Sequence, residues 1–208
     1  MTGPPKFQRR TEDARRGAFI EATLHCLAEH GHRGTTVRRI AARAGVAPGL
    51  LTHYFAGKDD LVAEAYRSLA ARILDEIAHR GDTAVMTPSA GLAAFIRASF
   101  REPNLDPGLL RVWTSFWSLV LTDATARAIH AETYGRYRAT LERFIAAALA
   151  ADGRPAPGAR VAHLAIGVSA LLDGLWLEWC LDPTAFTARD GEAIALEFVS
   201  AATGLALP

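Results

Sequence analysis

Residues 36–55 read TVRRIAARAGVAPGLLTHYF, two short apolar-periodic stretches around a single glycine. No other part of the chain restricts its folding as strongly. Val37, Ile40, Ala41 and Ala44 fall at i, i+3, i+4 and i+7, which is one face of a helix. Thr35–Thr36 precede this stretch and can cap it. Gly45 follows it and supplies the positive φ of a tight turn. Pro48 suits the first turn of a second helix ending near Phe55. An apolar set of Val37, Ile40, Val46, Leu50 or Leu51, and Phe55 can hold the two helices at a fixed angle. Two readings follow: a helix-turn-helix that enters DNA, or an αα-hairpin inside a bundle core. In the first, the helix opening at Pro48 presents Gly49, Thr52 and His53 to base edges in a major groove. Thr36, Arg38, Tyr54 and Lys58 then reach phosphates.

The charge distribution bears on this choice. The chain has 208 residues and a formal net charge of +1. Residues 1–58 hold ten Lys/Arg against four Asp/Glu, a net +6, and the remainder carries a net −5. A basic head on an acidic body points to a polyanionic partner for the head. A solvated basic tail is the alternative, since Lys6, Arg9, Arg10, Arg15 and Arg16 all lie near the terminus.

The rest of the chain also reads as helix, with no sustained period-2 alternation. The fold class expected is all-α, with about nine helices: a three-helix head and a longer helical bundle. Helix one is expected over about 11–30, helix four over 58–79 and helix five over 89–101. Helices six to nine are expected over about 108–121, 123–151, 159–181 and 188–203. Residues 1–10, with Pro4 and Pro5, read as a flexible arm, 11–57 as the helix-turn-helix domain and 58–208 as a ligand-binding and dimerisation domain. The longest unbroken apolar runs, such as Phe144–Leu149, are far below the ~18 residues that span a membrane, and no secretory leader is visible. Cys26 and Cys180 provide no disulfide framework. A cytoplasmic protein with no membrane partner is the expectation.

The body holds all four tryptophans. Trp113, Phe116, Trp117 and Val120 share one face of helix six. Asp173 lies in the apolar run SALLDGLWLEW, with Trp176 one turn later on the same face. A carboxylate there must be paired, protonated or facing a ligand, because burying it bare is costly. Aromatic faces with a carboxylate are what a quaternary ammonium needs, since it donates no N–H hydrogen bonds. The same tryptophans at helical spacing also fit a plain core or a dimer interface.

The run from Arg16 to Leu61, including TTVRRIAARAGVAPGLLTHYF and the following GKDDLV, resembles the DNA-binding region of TetR-family transcriptional regulators. Ala47 departs from the Ser or Thr that often caps the recognition helix there, and Pro48 partly compensates. The resemblance implies a homodimer in which each subunit offers one recognition helix to half of a palindromic operator. The two grooves lie about 34 Å apart per turn of double-stranded DNA. Helices eight and nine would pair across the two-fold, with Leu164, Val168, Leu172, Trp179 and Phe198 in the interface. A small molecule bound in the body would change the head separation and release DNA. WTSFWSLVL and LLDGLWLEWCLDP further resemble BetI-type repressors, which sense choline and control glycine betaine synthesis genes. That likeness puts Trp113, Phe116, Trp117, Asp173 and Trp176 at a choline-class ligand. The alternative is a TetR-type multidrug or other small-molecule sensor with an aromatic pocket.

An enzyme is not supported. His25 and Cys26 point about 100° apart on a helix, and with His30 and His32 they do not make convergent metal ligands. Ser115 and Ser169 have no adjacent base. No cofactor and no metal are implied.

Overall fold

The computed structural model describes residues 6–82 and 86–208, with side chains from Glu12 onward. Among them nine α-helices and no strand occur, as the periodicity predicts. They are α1 Lys6–Gly34, α2 Val37–Arg43, α3 Pro48–Tyr54, α4 Lys58–Gly81, α5 Pro88–Ala98, α6 Pro107–Val120, α7 Ala124–Ala151, α8 Gly158–Leu181 and α9 Ala188–Thr203. Residues 6–10, expected in an arm, belong to α1; residues 1–5 lie outside the described residues.

The chain divides into two compact units. The first comprises 1–70 and 108–130; the second comprises 71–107 and 131–208. The divisions therefore fall inside α4 and α7 and at the first residue of α6.

In the first unit, α1 is broken at Gly31, whose φ of 63° and ψ of −179° suit glycine alone. Thr35 closes the break, its N–H and hydroxyl both donating to the Gly31 carbonyl at 3.1 and 2.8 Å. Thr36 caps α2, its hydroxyl accepting from the Arg39 N–H at 3.2 Å. The turn after α2 is a Schellman closure. Gly45 at φ 68° donates to Ala42 O, and Val46 N–H donates to Ala41 O at 3.0 Å. Ala47 offers α3 no side-chain cap, and Pro48 opens that helix, where a missing N–H is harmless. The head's core is Phe19, Ala22, Cys26, Ile40, Ala41, Leu51, Phe55 and Leu61. Of the two candidate leucines, Leu51 is buried and Leu50 is exposed.

The second unit closes around Leu92, Phe95, Ile96, Leu141, Ile145, Ala165 and Ala195, all fully buried. Here α4 and α5 meet backbone to backbone. A Cβ on Gly91 would stand 2.7 Å from the Gly81 carbonyl oxygen, and one on Gly81 would stand 2.8 Å from that of Gly91. A reciprocal box between Thr187 and Asp190 starts α9, and Gly204 at φ 72° ends it.

Helix α8, whose most apolar 18 residues have a mean hydropathy of 1.5, is by length and composition alone long and apolar enough to cross a membrane. Its unbroken apolar runs are short because Gly, Ser, His and Asp173 interrupt them. One side of α8 enters the unit's core through Val161, Ala165, Val168 and Leu172. Ile166 and Leu181 remain exposed.

Candidate functional site

On α2 and α3 the residues expected to meet DNA divide by exposure. Thr36, Arg38, Pro48, Gly49, Thr52 and His53 are exposed, and Tyr54 and Lys58 are half-buried. Thr52 donates its hydroxyl proton to the Gly49 carbonyl at 2.9 Å, which leaves its lone pairs facing outward. Two further residues, which local pattern could not reveal, set the end of α3. Arg16 donates to the Tyr54 carbonyl at 3.2 Å and lies 4.5 Å from the centre of the Phe55 ring. Arg15 donates to the Tyr54 hydroxyl at 3.4 Å. A guanidinium on the last carbonyl of a helix satisfies an orphan acceptor and opposes the negative end of the dipole. Phe19 meets the Tyr54 ring edge-on at 5.5 Å, completing the clamp.

Lys58 opens α4 and donates to the His32 carbonyl at 3.5 Å. The His32 Nε2 is buried without a hydrogen-bond partner. Burial, and then the Lys58 ammonium, hold its imidazole below the usual histidine range. His32 thus packs against the start of α4, with its Nε2 3.9 Å from the Asp59 carboxylate. Among the described residues no group of three His, Cys, Asp or Glu side chains is placed to hold a metal.

The first unit also gathers the aromatic residues of α6. Phe116 is fully buried and stacks on Tyr66 at 4.4 Å, which covers one face of its ring. Trp113 meets the Tyr66 ring edge-on, and Trp117 lies 6.3 Å from Trp113. Both tryptophans are half-buried. The Tyr66 hydroxyl is 2.8 Å from His130 Nδ1.

The second unit holds Asp173 and Trp176. Burial lifts the Asp173 carboxyl to about 6, and a hydrogen bond from Tyr134 acts in the opposite direction. No Lys, Arg or His forms an ion pair with it among the described residues. Burial, with the Asp173 charge as the next cause, drives the nearby Tyr137 phenol well above its ordinary value; Ser99 hydrogen-bonds it. Trp176 donates its indole N–H to the Asn104 carbonyl at 2.9 Å. The arrangement is a half-buried carboxylate without a counter-cation beside Tyr134 and Tyr137 of α7, one helical turn from an indole.

Along α8 and α9 runs an apolar groove of about 620 Å³. Leu164, Val168 and Phe198 line it together with Leu171 and Val199. Phe198 is 60% exposed, Leu164 is half-buried, and Val168 is mostly buried within its own unit. The structure places Leu172 in the unit's core, and Trp179 packs half-buried against it.

Residues 19–65 match the family described as "Bacterial regulatory proteins, tetR family", and residues 88–204 match "BetI-type transcriptional repressor, C-terminal". The second match alone covers more than half of the chain. The chain belongs to the TetR family of bacterial regulators. Its C-terminal region is of the BetI type. The HTH-type transcriptional regulator BetI 1 of Chromohalobacter salexigens is 31% identical over 188 residues, 89% of this chain and 88% of that protein. A transcriptional regulator of Pseudomonas aeruginosa PAO1 has 40% identity and a TM-score of 0.84, covering 92% of this chain and 91% of that one. A regulator from Saccharomonospora viridis, solved in complex with choline, shares the fold. Its TM-score is 0.77 at 19% identity, over 90% of this chain and 96% of that one. As a TetR-family member the chain is a ligand-responsive, DNA-binding transcriptional repressor and not an enzyme.

Proposed function

We propose that this repressor binds a palindromic operator as a homodimer and is released by choline or a closely related quaternary ammonium compound, and so controls betaine synthesis or uptake genes. The observation that carries the reading is Asp173, a half-buried carboxylate in an apolar stretch of α8 with no basic partner among the described residues. A side chain so placed lowers stability unless a cation arrives, and natural chains retain such groups where a ligand uses them. An ammonium that cannot donate N–H bonds is held by a counter-charge and by ring faces. Tyr134, Tyr137 and Trp176 lie around that counter-charge. The match to BetI-type regulators over residues 88–204 includes all four of these residues. The exposed Gly49, Thr52 and His53 read the operator, with Thr36, Arg38, Tyr54 and Lys58 on phosphates, and the α8–α9 groove takes the second copy.

Tryptophan fluorescence and operator release are measured together on the dimer. Choline is expected to quench saturably and to free the operator, while a bulky hydrophobic cation does neither. In Asp173→Asn, both responses to choline are lost and operator affinity is kept. Preference for the bulky cation, or an unaltered choline response in Asp173→Asn, refutes the reading.

A further inference from the structure

Asn104 is 6% exposed and lies in the segment between α5 and α6. Three of its four polar groups are engaged. Its N–H donates to Arg101 O at 2.8 Å, its carbonyl accepts from the Trp176 indole, and its side-chain NH2 donates to Ala98 O at 3.0 Å. Its Oδ1 is buried and has no donor. Exchanging the amide O and N cannot relieve this, because it would set two acceptors, Oδ1 and Ala98 O, against each other. A buried amide oxygen left without a donor is costly, and such groups in native structures call for a specific explanation.

The residue's place in the fold supplies one. Trp176 ties the main-chain carbonyl of Asn104 to the face of α8 that carries Asp173, three residues earlier. The residue with the bare amide oxygen is thus fastened one helical turn from a carboxylate that lacks a counter-cation: the carboxylate is suited to a cation, and the neutral amide oxygen to a hydroxyl. Tyr134 and Tyr137 supply no second cation, and Ser99 is engaged with Tyr137.

We infer that Asn104 is a specificity-determining residue whose Oδ1 accepts the hydroxyl proton of an ammonium alcohol while Asp173 holds the cationic end. This rests on the cation reading proposed above and adds to it the requirement for a donor on the ligand. A site built around an acceptor rejects an isostere lacking the hydroxyl, because that isostere leaves the acceptor buried and bare.

The test compares choline with n-propyltrimethylammonium, in which a methyl group replaces the hydroxyl, by calorimetric titration of the full dimeric protein. The wild type is expected to prefer choline by roughly tenfold or more. Asn104→Leu is expected to bring that ratio near one while still binding the alkyl cation. Equal affinities in the wild type overturn the Asn104 assignment and leave the cation reading intact. Failure of both cations to bind overturns both readings. Should Asn104→Leu not fold, the Asn104 side-chain amide resonance of the wild type decides the point. A shift with choline and none with the alkyl cation supports the assignment, and identical responses overturn it.

Discussion

Asp173→Asn is expected to stabilise the ligand-free protein at neutral pH. The carboxyl stands near 6 in the folded chain, against 3.8 as its ordinary value. Each pKa unit of difference is worth about 1.4 kcal/mol, so ionised Asp173 lowers folding stability by up to about 3 kcal/mol. The sign follows from proton binding. Between pH 4 and 6 the folded chain holds a proton that the unfolded chain has lost. Raising the pH therefore favours unfolding, and the cost is complete above the folded pKa. Below the unfolded pKa it disappears. Asparagine carries no charge, and its amide oxygen can keep the bond from Tyr134. With part of the carboxylate still hydrated, a gain of about 1–3 kcal/mol is expected at pH 7–8. For a chain of this size that is roughly 2–10 °C in Tm. Melting curves of both proteins, at one protomer concentration and at several pH values from 4 to 8, measure it. The Tm difference should open between pH 4 and 6 and then level off. A variant that is less stable at pH 8, or a difference independent of pH, would falsify the account of Asp173 as an uncompensated carboxylate.

Four further outcomes follow from the structure. Choline affinity is expected to fall by up to about tenfold per pH unit below pH 6 as Asp173 takes up its proton, and to be flat with pH in any cation binding left to Asp173→Asn; equilibrium titration from pH 5 to 8 checks this. Thr36→Ala removes the side-chain cap of α2 and should cost about 1 kcal/mol in urea unfolding, and Lys58→Ala should reduce the salt slope of operator binding by about one, an unchanged slope removing Lys58 from the phosphate contacts. Phe198→Glu places a carboxylate in the apolar α8–α9 groove and should shift sedimentation from dimer toward monomer; persistence of the dimer at micromolar protein would place the interface elsewhere.

Much of the fold was legible because helices are punctuated locally. Thr36, Gly45 and Pro48 each act through φ, a missing N–H or a bond within four residues, so their meaning survives in a bare string. The same holds for the stripe Val37, Ile40, Ala41 and Ala44. The candidate ligand residues were legible only as types. A carboxylate in an apolar run has to be accounted for, and Asp173 stood out on that ground alone.

Periodicity names a helix's face and is silent on what lies opposite. Leu50 and Leu51 were equivalent on paper, and packing against α1 and α2 buried only Leu51. Phe116 is one ring of a helical face on paper, and only the fold sets Tyr66, fifty residues earlier in the chain, against it. Arg16 is one charge in a basic head until the fold sets it on the last carbonyl of α3, 38 residues away. Asn104 carries no motif at all; its significance arises from an indole 72 residues distant and from an amide oxygen that folding leaves without a donor. Residue order by itself determined the helices, their caps and the helix-turn-helix, because hydrogen bonds within a turn depend on neighbours. Tertiary structure alone decided which polar groups lost water without gaining a partner, because desolvation depends on every element that packs against them.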